Sequence, residues 1–195
     1  MDSVFVMYKR LLDITLPPKQ SAFLWGARKT GKSTFLKEHF PQSVYYDLLK
    51  SEKFIRYSQA PHLFREEILS LTPEALQHPV IVDEIQKIPM LLDEIHWLIE
   101  NSDAQFILCG SSARKLKRQG VNLLGGRAWG YHFYPLIYPE IHDVDLLKIL
   151  NVGAIPSHYL SVNPTSQSEP ISTIIWYKKS RWKDWYAIYQ LLLNS

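Results

Sequence analysis

The chain is poor in several features that usually narrow a function, and each shortage removes a class. Its 195 residues include one cysteine, Cys109, which excludes an internal disulfide framework and fits a reducing cytoplasm. No apolar run approaches the roughly 18–20 residues needed to span a bilayer. Charge is nearly balanced, at a formal +3, too mild to argue for nucleic acid by itself. The seven histidines lack the clustered Cys/His spacing of zinc sites. No internal repeat is present. The first residues, Met-Asp-Ser-Val-Phe-Val-Met-Tyr-Lys-Arg, carry an early acid and no small-residue cleavage site, so a secretory leader is not expected. What remains, at 46% apolar and 21% charged residues, is the composition of a cytoplasmic globular protein with one substantial core.

Against these shortages stands one complete motif. Gly26, Ala27, Arg28, Lys29, Thr30, Gly31, Lys32 and Ser33 match G-x-x-x-x-G-K-[ST] at every fixed position. This is the phosphate-binding P-loop, whose glycines let backbone N–H groups point inward around a polyphosphate. Lys32 is placed to reach the β- and γ-phosphates, and the Ser33 hydroxyl to ligate Mg²⁺. The flanks agree. Ser21 to Trp25 is a short apolar run suited to a buried strand, and Ser33 to Phe40 begins a helical pattern that Pro41 stops. Strand, loop and helix in that order set phosphates at a helix N-terminus, where N–H groups and the macrodipole favour anions.

Further along, strands alternate with helices. Strands are expected at 43–47, 80–84, 105–109 and 131–134, and helices at 8–14, 48–56, 63–71 and 89–100. The last of these helices carries Leu91, Leu92, Ile95, Leu98 and Ile99 at helical spacing. This alternation predicts an α/β fold with a mainly parallel five-stranded sheet wrapped on both faces.

A P-loop binds nucleotide, whereas hydrolysis also needs a metal-holding acid and a group that activates water. Val80-Ile-Val-Asp83-Glu84 offers both at a strand's C-terminal end, where ligand sites of α/β sheets lie. Asp83 is expected to hold Mg²⁺ through its water shell, together with Ser33. Glu84 is expected to orient or deprotonate the attacking water. Ser111 and Ser112 come after the fourth strand and are candidate γ-phosphate sensors, a role compatible with capping the next helix. Arg127, after the Gly125-Gly126 turn, is either an arginine that meets the transferring phosphoryl group or a surface salt bridge. The basic run Arg114 to Arg118 reads first as a solvated helix face, with nucleic acid the weaker reading. Cys109, inside an apolar strand, reads as an inert buried thiol.

As a set these segments resemble successive signatures of a prokaryotic AAA-type P-loop ATPase family. They are the stretch from Phe23 through Thr34, Val80 to Lys87, Ile107 to Leu116 and Leu123 to Trp129. Tyr134 to Ile141 and Leu150 to Pro156 are similar to the family's next two segments. The resemblance covers about residues 5–162. It implies a P-loop NTPase three-layer sandwich with an AAA-like strand order, in which the sensor strand lies between the P-loop and acidic strands. It also implies Mg²⁺-dependent ATP binding and hydrolysis. By motif position, Lys32, Ser33 and Thr34 become phosphate and metal contacts, Asp83 and Glu84 the acidic pair, Ser111 the first sensor, and Arg127 the arginine after the glycine turn. The motif leaves open whether Arg127 serves its own subunit or a neighbour in a homo-oligomer.

Family members continue into a partly helical C-terminal domain of undefined function, with DNA or a protein partner as its open contacts. Here the resemblance stops near Ser161. The expected organisation is therefore an ATPase domain at 1–145, the start of the C-terminal helical region at 146–162, and a linker and atypical tail at 163–195. The tail has a Pro/Ser-rich opening and then a Trp-rich stripe through Trp182, Trp185, Tyr186, Tyr189, Leu192 and Leu193. It reads as an out-of-frame or degenerate ending, against a genuine short variant that binds a membrane surface or partner. The functional expectation is an ATPase. The alternatives are an inert or truncated nucleotide-binding module acting through a partner, and a P-loop small-molecule kinase.

Overall fold

Three apolar runs build the centre of the sheet. In the computed structural model, which describes residues 8–111 and 124–160, β1 (Ser21–Trp25), β3 (Val80–Asp83) and β4 (Phe106–Gly110) are buried along their whole length. Strands covered on both faces need no polar alternation, which explains their near-continuous hydrophobicity. With β2 (Tyr45–Asp47) and β5 (Ala128–His132), they form one five-stranded sheet in the order β2-β3-β4-β1-β5. Every pairing is parallel. β4 thus lies between the P-loop strand β1 and the acidic strand β3, as the resemblance implies.

Alternate residues of each strand feed opposite faces. Ala22, Leu24, Ile81, Ile107 and Cys109 pack with Phe35 and Leu36 of α1 (Lys32–His39), and with Ile14 and Phe133. Phe23, Trp25, Val80, Val82, Phe106 and Leu108 face the other way. There they meet Tyr57 of α2 (Ser51–Gln59), Phe64 and Ile68 of α3 (His62–Leu69), and the apolar stripe of α4 (Leu91–Asn101). The result is three layers, helix on sheet on helix. Each fully buried Leu, Ile or Phe in these clusters contributes about 1.5–3 kcal/mol. α4 buries the five residues expected from its spacing and ends where the Ser102 hydroxyl donates to the Leu98 carbonyl at 2.6 Å.

Two expectations are corrected. Residues 8–14 form no helix. The Arg10 guanidinium instead donates to the carbonyls of Thr30 (2.9 Å) and Tyr134 (2.6 Å), and the Leu11 N–H donates to Glu140 Oε1 at 2.9 Å. Those long-range bonds hold the segment against the loop and the segment after β5 in place of a helix. The fifth strand runs 128–132 rather than 131–134, because its register is set by pairing from Ser21↔Ala128 to Trp25↔His132.

Past the sheet, α5 (Leu146–Val152) starts at Asp145, whose carboxylate accepts the Lys148 N–H, and α6 (Pro156–Tyr159) comes next. Val152 and Tyr159 close a small third core with Leu136 and Ile141. Among the described residues no helix is long and apolar enough to cross a membrane. The basic run 114–118, Ser112 and the tail from 163 lie outside the described residues.

Candidate functional site

The loop after β1 is held from both neighbouring strands. The Gly26 N–H donates to the Gly110 carbonyl at 3.2 Å, and the Phe133 N–H to the Trp25 carbonyl at 2.6 Å. A Cβ on Gly26 would stand 2.2 Å from the Phe133 carbonyl oxygen, so only glycine fits there. The turn then passes through left-handed backbone at Lys29 (φ 62°) and Gly31 (φ 92°), the second supplied without strain by glycine. Thr30 is buried and its hydroxyl donates to the Ala27 carbonyl at 2.9 Å. α1 begins at Lys32 with no side chain capping its first turn and no acid within it. Its first N–H groups have no partner within the helix, the condition that makes a helix N-terminus a binding site for anions.

Lys32 is 7% exposed, and its Nζ donates to the carbonyls of Gly26 and Ala27, both at 2.8 Å. An ammonium has three donors, so these bonds aim the head group across the loop and still allow a phosphate contact. Arg28 and Lys29 are exposed at the rim. Together they make the loop side of the cleft cationic.

The facing wall is acidic. Asp83 ends β3 and is buried. Its Oδ2 accepts from the Ser33 hydroxyl at 2.6 Å and from the Tyr45 hydroxyl at 2.5 Å, and its Oδ1 accepts the Glu84 N–H at 2.9 Å. Burial, and next the bond to Asp83, drives the Tyr45 phenol far above its ordinary range. Glu84 adopts left-handed backbone (φ 59°, ψ 40°), which costs a non-glycine residue roughly 1–2 kcal/mol. Its Oε2 accepts from the amide of Gln86, which also donates to Ser111 Oγ at 3.3 Å. Arg28, Lys29, Gly31, Lys32, Ser33, Thr34, Leu49, Asp83 and Glu84 line one cleft of about 400 Å³, a volume typical of small-molecule sites. Behind it, burial pushes the Cys109 thiol well above its usual value, with the Asp83 charge adding to the effect.

On the other side of the loop lies a smaller, mainly apolar pocket of about 130 Å³, shared by Gly31, Thr34 and Phe35 with Tyr8, Leu136 and Pro156. Arg10 lines it while bonding the Thr30 carbonyl.

The structure therefore gathers Gly26 through Thr34, Asp83, Glu84 and Ser111 at one end of the sheet. It does not bring Arg127 there. Arg127 precedes β5, and its carbonyl accepts the Ser21 N–H at 2.9 Å, which puts it at the start of β1 while the P-loop lies past the strand's end. The five residues of β1 separate them by roughly 16 Å. Arg127 pairs instead with Glu100 at the end of α4, the salt-bridge alternative for this residue within its own subunit. Sequence reasoning passed over Tyr45, Gln86 and Arg10. Gln86 carried a signal, lying two residues past Glu84 in the same motif; Tyr45 and Arg10 carried none without the sheet order.

A strand–loop–helix phosphate cradle with a buried lysine, facing a carboxylate two strands away in the sheet, defines a P-loop nucleoside-triphosphate-binding protein. The family described as "AAA domain" matches residues 18–142. The chain belongs to this family of AAA-type P-loop ATPases. Among solved structures it is similar to the Walker-type ATPase Paby2304 of Pyrococcus abyssi, at 15% identity and a TM-score of 0.48, over 71% of this chain and 60% of that one. The chain thus spans about three-fifths of that structure. The comparison with curated proteins gives no match.

Proposed function

We propose that this chain binds ATP together with Mg²⁺ in the cleft between the P-loop and the end of β3, and hydrolyses it. The observation that carries the reading is the 2.6 Å contact between Ser33 Oγ and Asp83 Oδ2. It joins the loop to the acid through two hard oxygen donors, a set that suits Mg²⁺ when phosphates and water complete the shell. Ser33 and Asp83 would hold the ion, which when bound neutralises charge on the β- and γ-phosphate oxygens. Lys32, Thr34 and the amides of residues 26–33 bind the polyphosphate. Ser111 senses its γ-end, and Glu84 orients the attacking water. The small apolar pocket beside Gly31 and Thr34 suits the flat base. Arg127 lies too far from its own cleft to meet that phosphate, so an arginine contact from this residue would have to be made in the site of a second copy, within a homo-oligomer. A single, deeply buried thiol agrees with a cytoplasmic setting.

The test is a pair of variants of the full chain. Lys32→Ala is expected to abolish nucleotide binding measured by calorimetry. Glu84→Gln is expected to retain ATP while turnover falls by about a hundredfold or more. Undiminished phosphate release by Glu84→Gln would remove that residue from its role. Absence of heat from any nucleotide with the parent chain would remove the whole reading.

A further inference from the structure

Gln86 is a polar side chain where an apolar one would be expected. It is 6% exposed, at the C-terminal end of β4, in the turn Ile85–Lys87 directly after Glu84. Its amide nitrogen donates to Glu84 Oε2 and to Ser111 Oγ, at 3.3 Å for the second. A carboxylate only accepts, so the NH₂ must face Glu84; the flipped amide would set oxygen against oxygen. The cost of this orientation is visible at the other end of the group. Gln86 Oε1 is buried with no hydrogen-bond partner among the described residues, a penalty of about 1–3 kcal/mol. The surroundings are shaped to hold it. A Cβ on Gly110 would stand 2.4 Å from Oε1 and 2.8 Å from the Trp25 ring, so the glycine before Ser111 makes room for this amide. Gly110 in turn accepts the Gly26 N–H of the P-loop.

We propose that Gln86 is a positioning residue that ties the Glu84 carboxylate to Ser111, so that a change at the γ-phosphate side of the cleft reaches the acid that orients water. This inference rests on the roles assigned above to Glu84 and Ser111. Glu84 sits on left-handed backbone, and its carboxylate has a side-chain partner two residues along the chain. Gln86 supplies that partner and makes it depend on Ser111, which continues from the strand bonded to the loop. The buried amide, whose Oε1 has no partner among the described residues, uses its two donors to join two parts of the site.

The experiment measures steady-state ATP turnover and ATP affinity separately, on the full chain, for Gln86→Met, Gln86→Glu, Ser111→Ala, Glu84→Gln and the double variant Gln86→Met/Ser111→Ala. Met keeps the volume and removes the donors; Glu keeps the shape and turns the donor into an acceptor. Both are expected to lower kcat by about tenfold to a hundredfold with ATP affinity within about twofold, the signature of lost positioning. The double variant is expected to fall no further than the worse single one within about twofold, because both break the same link. Turnover near the parent value in both Gln86 variants, with Glu84→Gln inactive, would overturn the inference and leave the wider reading standing. Strictly multiplicative losses in the double variant would overturn the link to Ser111. A joint loss of affinity and kcat would assign Gln86 to structure alone. An active Glu84→Gln would instead fail the wider reading, in a control that does not involve Gln86.

Discussion

Ser33 and Asp83, 50 positions apart, share a hydrogen bond of 2.6 Å, and Tyr45 donates to the same carboxylate oxygen at 2.5 Å. With the Glu84 N–H on the other oxygen, the Asp83 carboxylate is fixed in plane and direction by three donors. Partners behind a metal ligand commonly govern affinity by about 10–100-fold. Tyr45→Phe removes one donor and leaves the ring. The Mg²⁺ concentration giving half-maximal turnover is expected to rise by about tenfold. Stability is expected to fall by about 1.5–3 kcal/mol, the worth of a bond to a charged group, read by thermal denaturation. An unaltered Mg²⁺ requirement would detach Tyr45 from the metal site.

Three tyrosines, Tyr46 and Tyr57 buried and Tyr45 half-buried, are expected to set the alkaline limit of stability. Burial, then the nearby Glu67 carboxylate, pushes the Tyr46 phenol up to about 12. Tyr57 is driven higher still by burial and by its 2.6 Å bond to Glu67, and Tyr45 by burial and Asp83. In the unfolded chain these groups ionise near pH ~10. Between pH ~10 and ~12 the unfolded state has lost protons that the folded state keeps, so stability falls as pH rises. It is fully present below pH ~10. Tyrosinate absorbance is expected to show these three appearing together with loss of the helical circular-dichroism signal. Their smooth titration near pH ~10 without unfolding would contradict it.

The parts of the fold that were legible are those whose signal is local. Ser21 to Trp25 announces a covered strand because all five residues are buried, and the α4 stripe announces its own face. The phosphate loop is legible because Gly26, Gly31, Lys32 and Ser33 each answer a local geometric or charge demand. The 8–14 segment misleads because its helical pattern is overruled by Arg10, whose acceptors lie 20 and 124 positions away. Arg127 was legible only in part. Its glycine turn is a local fact, but which end of the sheet it occupies depends on the β1–β5 register. Tyr45 joins the site only because β2 pairs with β3 at Asp47↔Asp83.

Arg127 gives a prediction that separates a lone subunit from an assembly. Its side chain is 41% exposed and paired with Glu100 at the sheet end remote from the cleft. Specific ATPase activity is expected to rise with protein concentration as copies associate. Arg127→Ala should abolish that rise, lowering the plateau by about 10³-fold, the lower end of what an arginine supplied in trans contributes. ATP affinity of the dilute protein should be unchanged. If turnover per subunit is flat across concentration and Arg127→Ala matches the parent, the pair with Glu100 is the residue's whole role.

Arg10 and Glu140 form the most enclosed ion pair in the described part of the chain, 3.0 Å apart with side chains 10% and 3% exposed. Glu140 also accepts the N–H groups of Leu11 (2.9 Å) and Ile137 (3.2 Å), and the Arg10 guanidinium lies 4.0 Å above the Phe133 ring while bonding the Thr30 carbonyl of the phosphate loop. Removing one partner strands the other as a buried charge, at about 3–5 kcal/mol. At ~2–4 °C per kcal/mol for a chain of this size, Arg10→Met is expected to lower the melting temperature by about 6–20 °C. Arg10→Lys should recover little, because an ammonium cannot serve the spread of acceptors that the planar fork reaches. Replacing both partners, as Arg10→Met with Glu140→Leu, should restore part of the loss by removing the stranded charge. ATP affinity should nevertheless stay depressed in the double variant, since the Thr30 carbonyl still lacks its donor and the loop is less firmly set. Full recovery of affinity alongside stability would mean that Arg10 serves only to close the fold and does not brace the phosphate loop.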